Sequence, residues 1–297
     1  MTIQILGGGS VGLLIASFLA EKGMNVEIVA KRAEQREALD TCGLVRQGAA
    51  GEKETFKVKA SANIARHPEL LIVATKYDAL ADLYPVLAEL PVSVPLLFIQ
   101  NGLAHYKEVM RLPQRHIAFG SAQFGAQRVA DHSVIHRGIG VLKLAVARGG
   151  MEEFAAVFAL DSEAFPIQHE VEAEKMLLEK ALLNCFINPL TAILKVKNGE
   201  LLTNGYAYSL LEALYEELME AFPDMRPQFP FDGVKALCER TAANTSSMLS
   251  DRLAGRKMEA DTIAGAVIEK AASDDRQLPT LRTLYELIKA LEQVEGG

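Results

Sequence analysis

Lys180, Asn184 and Asn188 stand at i, i+4 and i+8 in the stretch EKALLNCFINPLTAILKVKNGELL, residues 179–202. On a helix the three share about a quarter of the circumference. Ala181, Leu182, Leu183, Phe186, Ile187 and Leu190 around them are apolar, so the polar row projects from a helix otherwise fit for burial. An ammonium and two amides taken out of water need partners, at roughly 1–3 kcal/mol for each left unpaired and more for the charge. A small molecule carrying carbonyl, carboxylate and hydroxyl oxygens would supply them. The chemistry that follows is proton donation. The ammonium stabilises a developing oxyanion and then protonates it, while the amides hold the other oxygens and fix the reacting carbon. Desolvation on an apolar helix lowers a lysine pKa from about 10.4, as such an acid requires near neutral pH. A solvated surface lysine is the ordinary alternative. The two asparagines at matching spacing, both poor helix formers, argue against it. Pro189 removes one hydrogen bond from this helix and predicts a bend that re-aims Asn188.

A second chemistry-bearing stretch opens the chain. Thr2–Leu6 reads as a buried strand, GGGSVG supplies Gly7, Gly8, Gly9, Ser10, Val11 and Gly12, and Leu13–Glu21 has helical length before Gly23. Val26–Ala30 is a second strand. Strand, GxGxxG, helix and strand in this order form a dinucleotide fingerprint. Gly7 allows the tight turn, Gly9 lets backbone approach a pyrophosphate, and Gly12 lets the helix pack on the strand. The free N–H groups of the helix start then face the phosphates. An NAD site places an acid about 20 residues further on. Here the second strand runs into Lys31-Arg32, two cations suited to a 2′-phosphate and hence to NADP(H). Glu27 falls too early in the strand for the ribose, and solvated loop charges are the alternative reading of the two cations.

The elements that must position these groups follow in order. Leu44–Gln47 and Thr55–Ala60 read as short strands around a Gly-containing turn. Leu70–Thr75 is a strand leading to Lys76 and a helix near Ala79–Leu90, and Pro95–Ile99 is a strand ending in Gln100-Asn101-Gly102. Alternating strand and helix predicts an open parallel sheet, with ligands beyond the carboxyl ends of the strands, where Lys76 and Asn101 fall. Asn101-Gly102 also reads as a plain turn pair. Ile117–Phe124, Ser133–His136 and Val141–Ala147 are expected as strands antiparallel to one another, and Met151–Leu160 as a helix. The boundary is placed in the Pro166-containing segment 164–172, giving domains 1–167 and 168–297. Helices are expected at Glu174–Lys195, Tyr206–Ala221, Phe231–Thr241, Asp261–Ala272 and Pro279–Glu292. A late polar run, NTSSMLSD from Asn244 followed by GRKMEAD from Gly255, puts Asn244 and Ser247 at i, i+3. They suit a substrate carboxylate or, on the plainer reading, cap helices.

Composition excludes several classes. The chain has 297 residues, 49% hydrophobic and 23% charged, with a net charge of −7. This is ordinary globular material for two domains, and it argues against nucleic-acid or anionic-membrane partners. Cys42, Cys185 and Cys238 form no CxxC pair and the six His show no ligand spacing, so neither a disulfide framework nor a metal site is expected. A reducing cytoplasm fits. The apolar run Ile5–Ala20 has no basic residue before it and holds four Gly between Gly7 and Gly12, so it reads as strand, turn and helix rather than a signal peptide.

Together these residues resemble the ketopantoate reductase family across nearly the whole chain. The likeness rests on GGGSVG, Lys76, Gln100-Asn101-Gly102, the Lys180–Leu202 stretch with Asn188, Pro189, Thr191, Asn198 and Gly199, and the late NTSSMLSD and GRKMEAD runs. It implies a Rossmann-like α/β N-terminal domain followed by an all-α C-terminal domain like that of 6-phosphogluconate dehydrogenase. It further implies NADPH-dependent reduction of 2-dehydropantoate to (R)-pantoate in pantothenate biosynthesis. Lys180 would be the general acid, with Asn101, Asn184, Asn188, Asn198, Asn244 and Ser247 at or near the substrate. Asn101 would also meet the cofactor, as would Lys76, Glu259 and, on a looser motif, Ala126. Met258 stands where the family often has Thr, although Glu259 is retained. Lys31 falls where the family commonly carries an Arg for the 2′-phosphate. The rivals are an NADPH-dependent reductase of another short 2-oxo acid, a non-catalytic NADP sensor, and a helical partner domain whose polar row meets another chain. The helical domain also offers surface for a homodimer.

Overall fold

The computed structural model describes residues 2–48 and 51–295. Residues 1, 296 and 297, the ends of the two expected domains, and residues 49–50, in the expected turn between two short strands, lie outside the described residues. The chain divides into two compact units, residues 1–100 with 105–176 and residues 101–104 with 177–297.

The first unit runs β1 (Ile3–Leu6), α1 (Ser10–Glu21), β2 (Val26–Val29), α2 (Ala33–Cys42), β3 (Leu44–Gln47), β4 (Lys53–Phe56), β5 (Lys59–Ser61), β6 (Leu70–Val73), α3 (Leu80–Ala88), β7 (Leu96–Phe98) and α4 (Tyr106–Val109). It continues with β8 (Ile117–Ala122), β9 (Gly125–Ala130), β10 (Ser133–Gly138), β11 (Leu142–Arg148), α5 (Ala155–Phe158) and β12 (Ile167–Glu170). Eight strands form one sheet in the order β12-β11-β8-β7-β6-β1-β2-β5, and β4-β3-β10-β9 form a second. Every residue of β1, β6 and β7 is buried, as expected of parallel strands covered on both faces. β1 pairs in parallel with β2 and β6, and β7 with β6 and β8. The open parallel sheet is therefore present.

The second sheet is the main departure from expectation. β8 and β11 are antiparallel neighbours in the large sheet. β10 pairs with neither of them; it runs antiparallel to β9 and parallel to β3. Helix α1 contacts β1 and β2 on one side and β3, β9 and β10 on the other, and Gly12 through Leu19 are all buried. A helix apolar all round is a helix covered all round, and the second sheet is that cover. Two further expectations are corrected, and a strand is added in the segment read as the domain boundary. Thr55–Ala60 is split into the edge pieces β4 and β5. Met151–Leu160 yields only a 3₁₀ turn and the short α5. The segment 164–172 holds β12, paired in parallel with β11 and tied by Lys143–Glu170 at 2.7 Å. Its polar sequence is that of an edge strand, where exposed faces carry charge.

The second unit is helical: α6 (Ala173–Leu194, from Leu177 onward), α7 (Glu200–Thr203), α8 (Gly205–Ala221), α9 (Phe231–Arg240), α10 (Ser247–Leu253), α11 (Ala266–Ser273, preceded by a π-helical turn at Asp261–Gly265) and α12 (Pro279–Glu295). α6 is apolar and long enough to cross a membrane by composition. However, 67% of its most apolar window is buried inside the protein, as in the core helix of a soluble protein. Phe186 of α6 packs on Tyr215 and Phe229, and Tyr215 donates to the Phe229 carbonyl at 2.8 Å. The segment 101–104 joins this unit through Leu103 N–H to Thr262 O at 3.1 Å.

Candidate active site

The glycine turn of the first unit has the geometry that its spacing predicts. Gly7 has φ +116°, and a Cβ there would sit 2.9 Å from the Ala74 carbonyl. A Cβ on Gly12 would lie 2.2 Å from Gly7 O, so only glycine lets α1 approach the strand. Gly9 differs: a Cβ there would meet nothing within 4 Å. It precedes α1 with no side-chain cap. The first N–H groups of α1 thus have no side-chain cap, and backbone can be approached closely at Gly9, as a pyrophosphate requires. Gly8 completes that turn, and Ser10 and Val11 open α1. Lys31 and Arg32 follow β2, both exposed, and Arg36 fixes their turn by donating to Ala30 O at 2.8 Å and Lys31 O at 2.7 Å. Lys76 is exposed just beyond β6. Ala126 lies half-buried on β9 opposite His136. These residues fit a dinucleotide.

Sequence reasoning gave no role to several groups that border this turn. Gln35 of α2 donates to Gly8 O at 2.8 Å and to the backbone carbonyl of Asp131 at 2.9 Å. Arg128 donates to Gly8 O at 3.3 Å. Arg32 forms an ion pair with Asp131. Gln100 donates to Val73 O at 3.0 Å and Thr75 O at 3.1 Å, tying the ends of β6 and β7 together. Its Oε1 and the Thr75 Oγ1 are buried without a partner among the described residues.

The helical unit docks Ser246 and Ser247 of the late motif on α6. Lys180 lies two turns and Asn184 one turn before Asn188, all within Ala173–Leu194. Lys180 is half-buried, and burial pushes its pKa below the ordinary lysine value. Asn188 is buried and donates to Ser247 Oγ at 3.4 Å. Ser246, rather than Ser247, caps α10: its Oγ accepts from Leu249 N–H at 3.1 Å and pairs with Thr191 Oγ1 at 2.8 Å. That docks α10 on α6 and leaves the Ser247 hydroxyl beside Asn188. Asn198 donates from its backbone to Asn244 O at 3.2 Å and from its side chain to Thr241 Oγ1 at 3.0 Å. The Asn198 Oδ1 is buried and unpartnered among the described residues. Asn101 donates to Glu259 Oε2 at 3.2 Å, joining two residues 158 positions apart. Gly102, with φ +82°, makes this possible, because a Cβ there would lie 2.0 Å from Thr262 O. Met258 is buried and its N–H donates to Glu292 at 2.7 Å, so the apolar side chain at that position serves the core.

Residues 3–149 match the family model described as "Ketopantoate reductase PanE/ApbA", and residues 172–292 match "Ketopantoate reductase PanE/ApbA C terminal". A 2-dehydropantoate 2-reductase of Listeria monocytogenes is 36% identical, over 98% of this chain and 97% of its own length. The crystal structure of a probable 2-dehydropantoate 2-reductase from Bacillus subtilis superposes with a TM-score of 0.89 at 32% identity, over 98% of this chain and 100% of that one. A D-mandelate dehydrogenase solved with NADH and anilino(oxo)acetate shares the fold at 22% identity and a TM-score of 0.85, over 100% of both chains.

Proposed function

The chain belongs to the ketopantoate reductase family, and from that premise we propose that it reduces 2-dehydropantoate to (R)-pantoate, the step that serves pantothenate and coenzyme A synthesis. When bound, NADPH supplies the hydride. The chain's own residues supply the rest. The glycine turn and the start of α1 hold the pyrophosphate, Lys31 and Arg32 read the 2′-phosphate, and Lys76, Asn101, Ala126 and Glu259 hold the remainder of the cofactor. Lys180 hydrogen-bonds the ketone oxygen and gives it a proton as the alkoxide forms. Asn184, Asn188, Asn198, Asn244 and Ser247 hold the carboxylate and hydroxyl of the substrate. In this reading residues 1–167 form the NADP-binding domain and residues 168–297 the substrate domain, in a cytoplasmic enzyme that assembles as a homodimer.

The observation that carries the proposal is the desolvated Lys180, in line on α6 with two asparagines, one of them bonded to Ser247. The test is a panel of 2-oxo acids followed by NADPH absorbance. 2-Dehydropantoate is expected to give the highest kcat/KM, and a better substrate elsewhere in the panel would overturn the assignment. Lys180→Ala is expected to lower kcat by 10²–10⁴, the usual worth of a positioned acid, with NADPH affinity nearly intact. Light scattering of the purified protein checks the dimer, and a monomeric mass would refute it.

A further inference from the structure

We propose that Arg128 is a second reader of the cofactor 2′-phosphate and that Asp131 is the internal carboxylate which the phosphate replaces. This rests on the NADPH reading above. The two-residue turn between β9 and β10 contains Asp131. Its backbone is fastened to the glycine turn through Gln35, which donates both to Asp131 O and to Gly8 O. The tip of the second sheet is thereby held beside the turn that cradles a dinucleotide. Two guanidinium groups converge there on one carboxylate oxygen. Arg32 pairs with Asp131 Oδ1, and Arg128 Nη1 lies 3.8 Å from the same atom while donating to Gly8 O at 3.3 Å.

Arg32 leaves the end of β2, the place in this type of sheet where the ribose 2′ substituent is read. A guanidinium sharing its carboxylate belongs to the same locus. Two arginines against one carboxylate leave an excess positive charge, with Lys31 adding to it. A 2′-phosphate brings up to two negative charges and three acceptor oxygens, so it satisfies both guanidinium forks where one carboxylate does so incompletely. A ribose hydroxyl offers no charge and leaves the Arg32–Asp131 pair in place. In this arrangement Asp131 keeps both arginines aimed at the locus when no phosphate is there and gives them up when one arrives.

The test uses calorimetric titration of the full-length protein with 2′,5′-ADP and with 5′-ADP, so that it reads binding and not turnover. Arg128→Ala is expected to weaken 2′,5′-ADP by about 10–100-fold and to change 5′-ADP less than 2-fold. Asp131→Asn removes the competing charge while keeping the backbone bond to Gln35, and is expected to tighten 2′,5′-ADP about 3–10-fold. Equal losses for both ligands in Arg128→Ala would assign this arginine to the pyrophosphate or to packing, and overturn the proposal. So would no loss at all, or weaker 2′,5′-ADP binding in Asp131→Asn. If Arg32→Ala loses 2′,5′-ADP selectively but Arg128→Ala does not, the NADPH reading stands and this inference fails. If the wild-type protein shows no preference for 2′,5′-ADP, the NADPH reading falls and takes this inference with it.

Discussion

Lys180 is the residue on which the proposed chemistry turns, and its burial has two measurable consequences. Its pKa is lowered by desolvation, and it must be protonated to act as the acid. The kcat/KM of the reduction is therefore expected to fall as pH rises through that lowered value, below the usual lysine range, and Lys180→Ala is expected to erase this alkaline limb. The same shift acts on stability. At a pH below the lowered value both folded and unfolded chains carry the proton, and the full desolvation cost is present. As pH rises from there towards the ordinary lysine value, the folded state sheds its proton first and the cost disappears. Lys180→Met is thus expected to raise Tm at neutral pH, by about 2–4 °C per kcal/mol recovered, with the gain vanishing above the ordinary lysine pKa. Calorimetry at neutral and alkaline pH checks both signs. A lower Tm in the variant at neutral pH would show that the ammonium is well compensated in the fold.

Among the elements, two glycines decide where the site groups fall. Gly12→Ala would push a methyl to 2.2 Å from Gly7 O, a backbone atom that cannot swing aside as the end of a flexible side chain would. A loss of about 1–3 kcal/mol is expected, with weaker NADPH binding because α1 is displaced from the turn. Denaturant titration and fluorescence titration read the two effects. Gly102→Ala meets both a left-handed backbone and a 2.0 Å approach to Thr262 O. Its strain of about 1–3 kcal/mol is expected to separate Asn101 from Glu259 and to raise the NADPH KM, checked by steady-state kinetics. The strands and helices show why some elements are readable and others not. α1 was legible because its glycine spacing and apolar run are local. β9, which carries Arg128, was not, since Gly125–Ala130 is mostly exposed and lacks a buried face to betray it. The alternation that would mark a half-buried strand needs a covered side.

At the scale of the whole chain, a ligand that binds only the folded form stabilises by mass action. NADPH at a hundred times its Kd is expected to add about 2.7 kcal/mol, seen as an upward shift in a thermal-denaturation scan. Absence of any shift at saturating NADPH would contradict the cofactor assignment. NADH at the same concentration is expected to shift the transition less.

The sequence by itself determined the glycine turn, the choice of NADP(H), the polar row on α6 and the passage from an α/β half to a helical half. All of these are short-range: the period of a helix, the conformational freedom of glycine, the charge that ends a strand. The tertiary structure decided the rest. It built a second sheet by laying β3 alongside β10, strands about ninety positions apart, and so covered α1 and carried Arg128 and Asp131 to the glycine turn. It also assigned the α10 cap to Ser246 and gave Ser247 to Asn188. Pairings of that kind depend on which surfaces must be buried together, and no spacing along the chain records them.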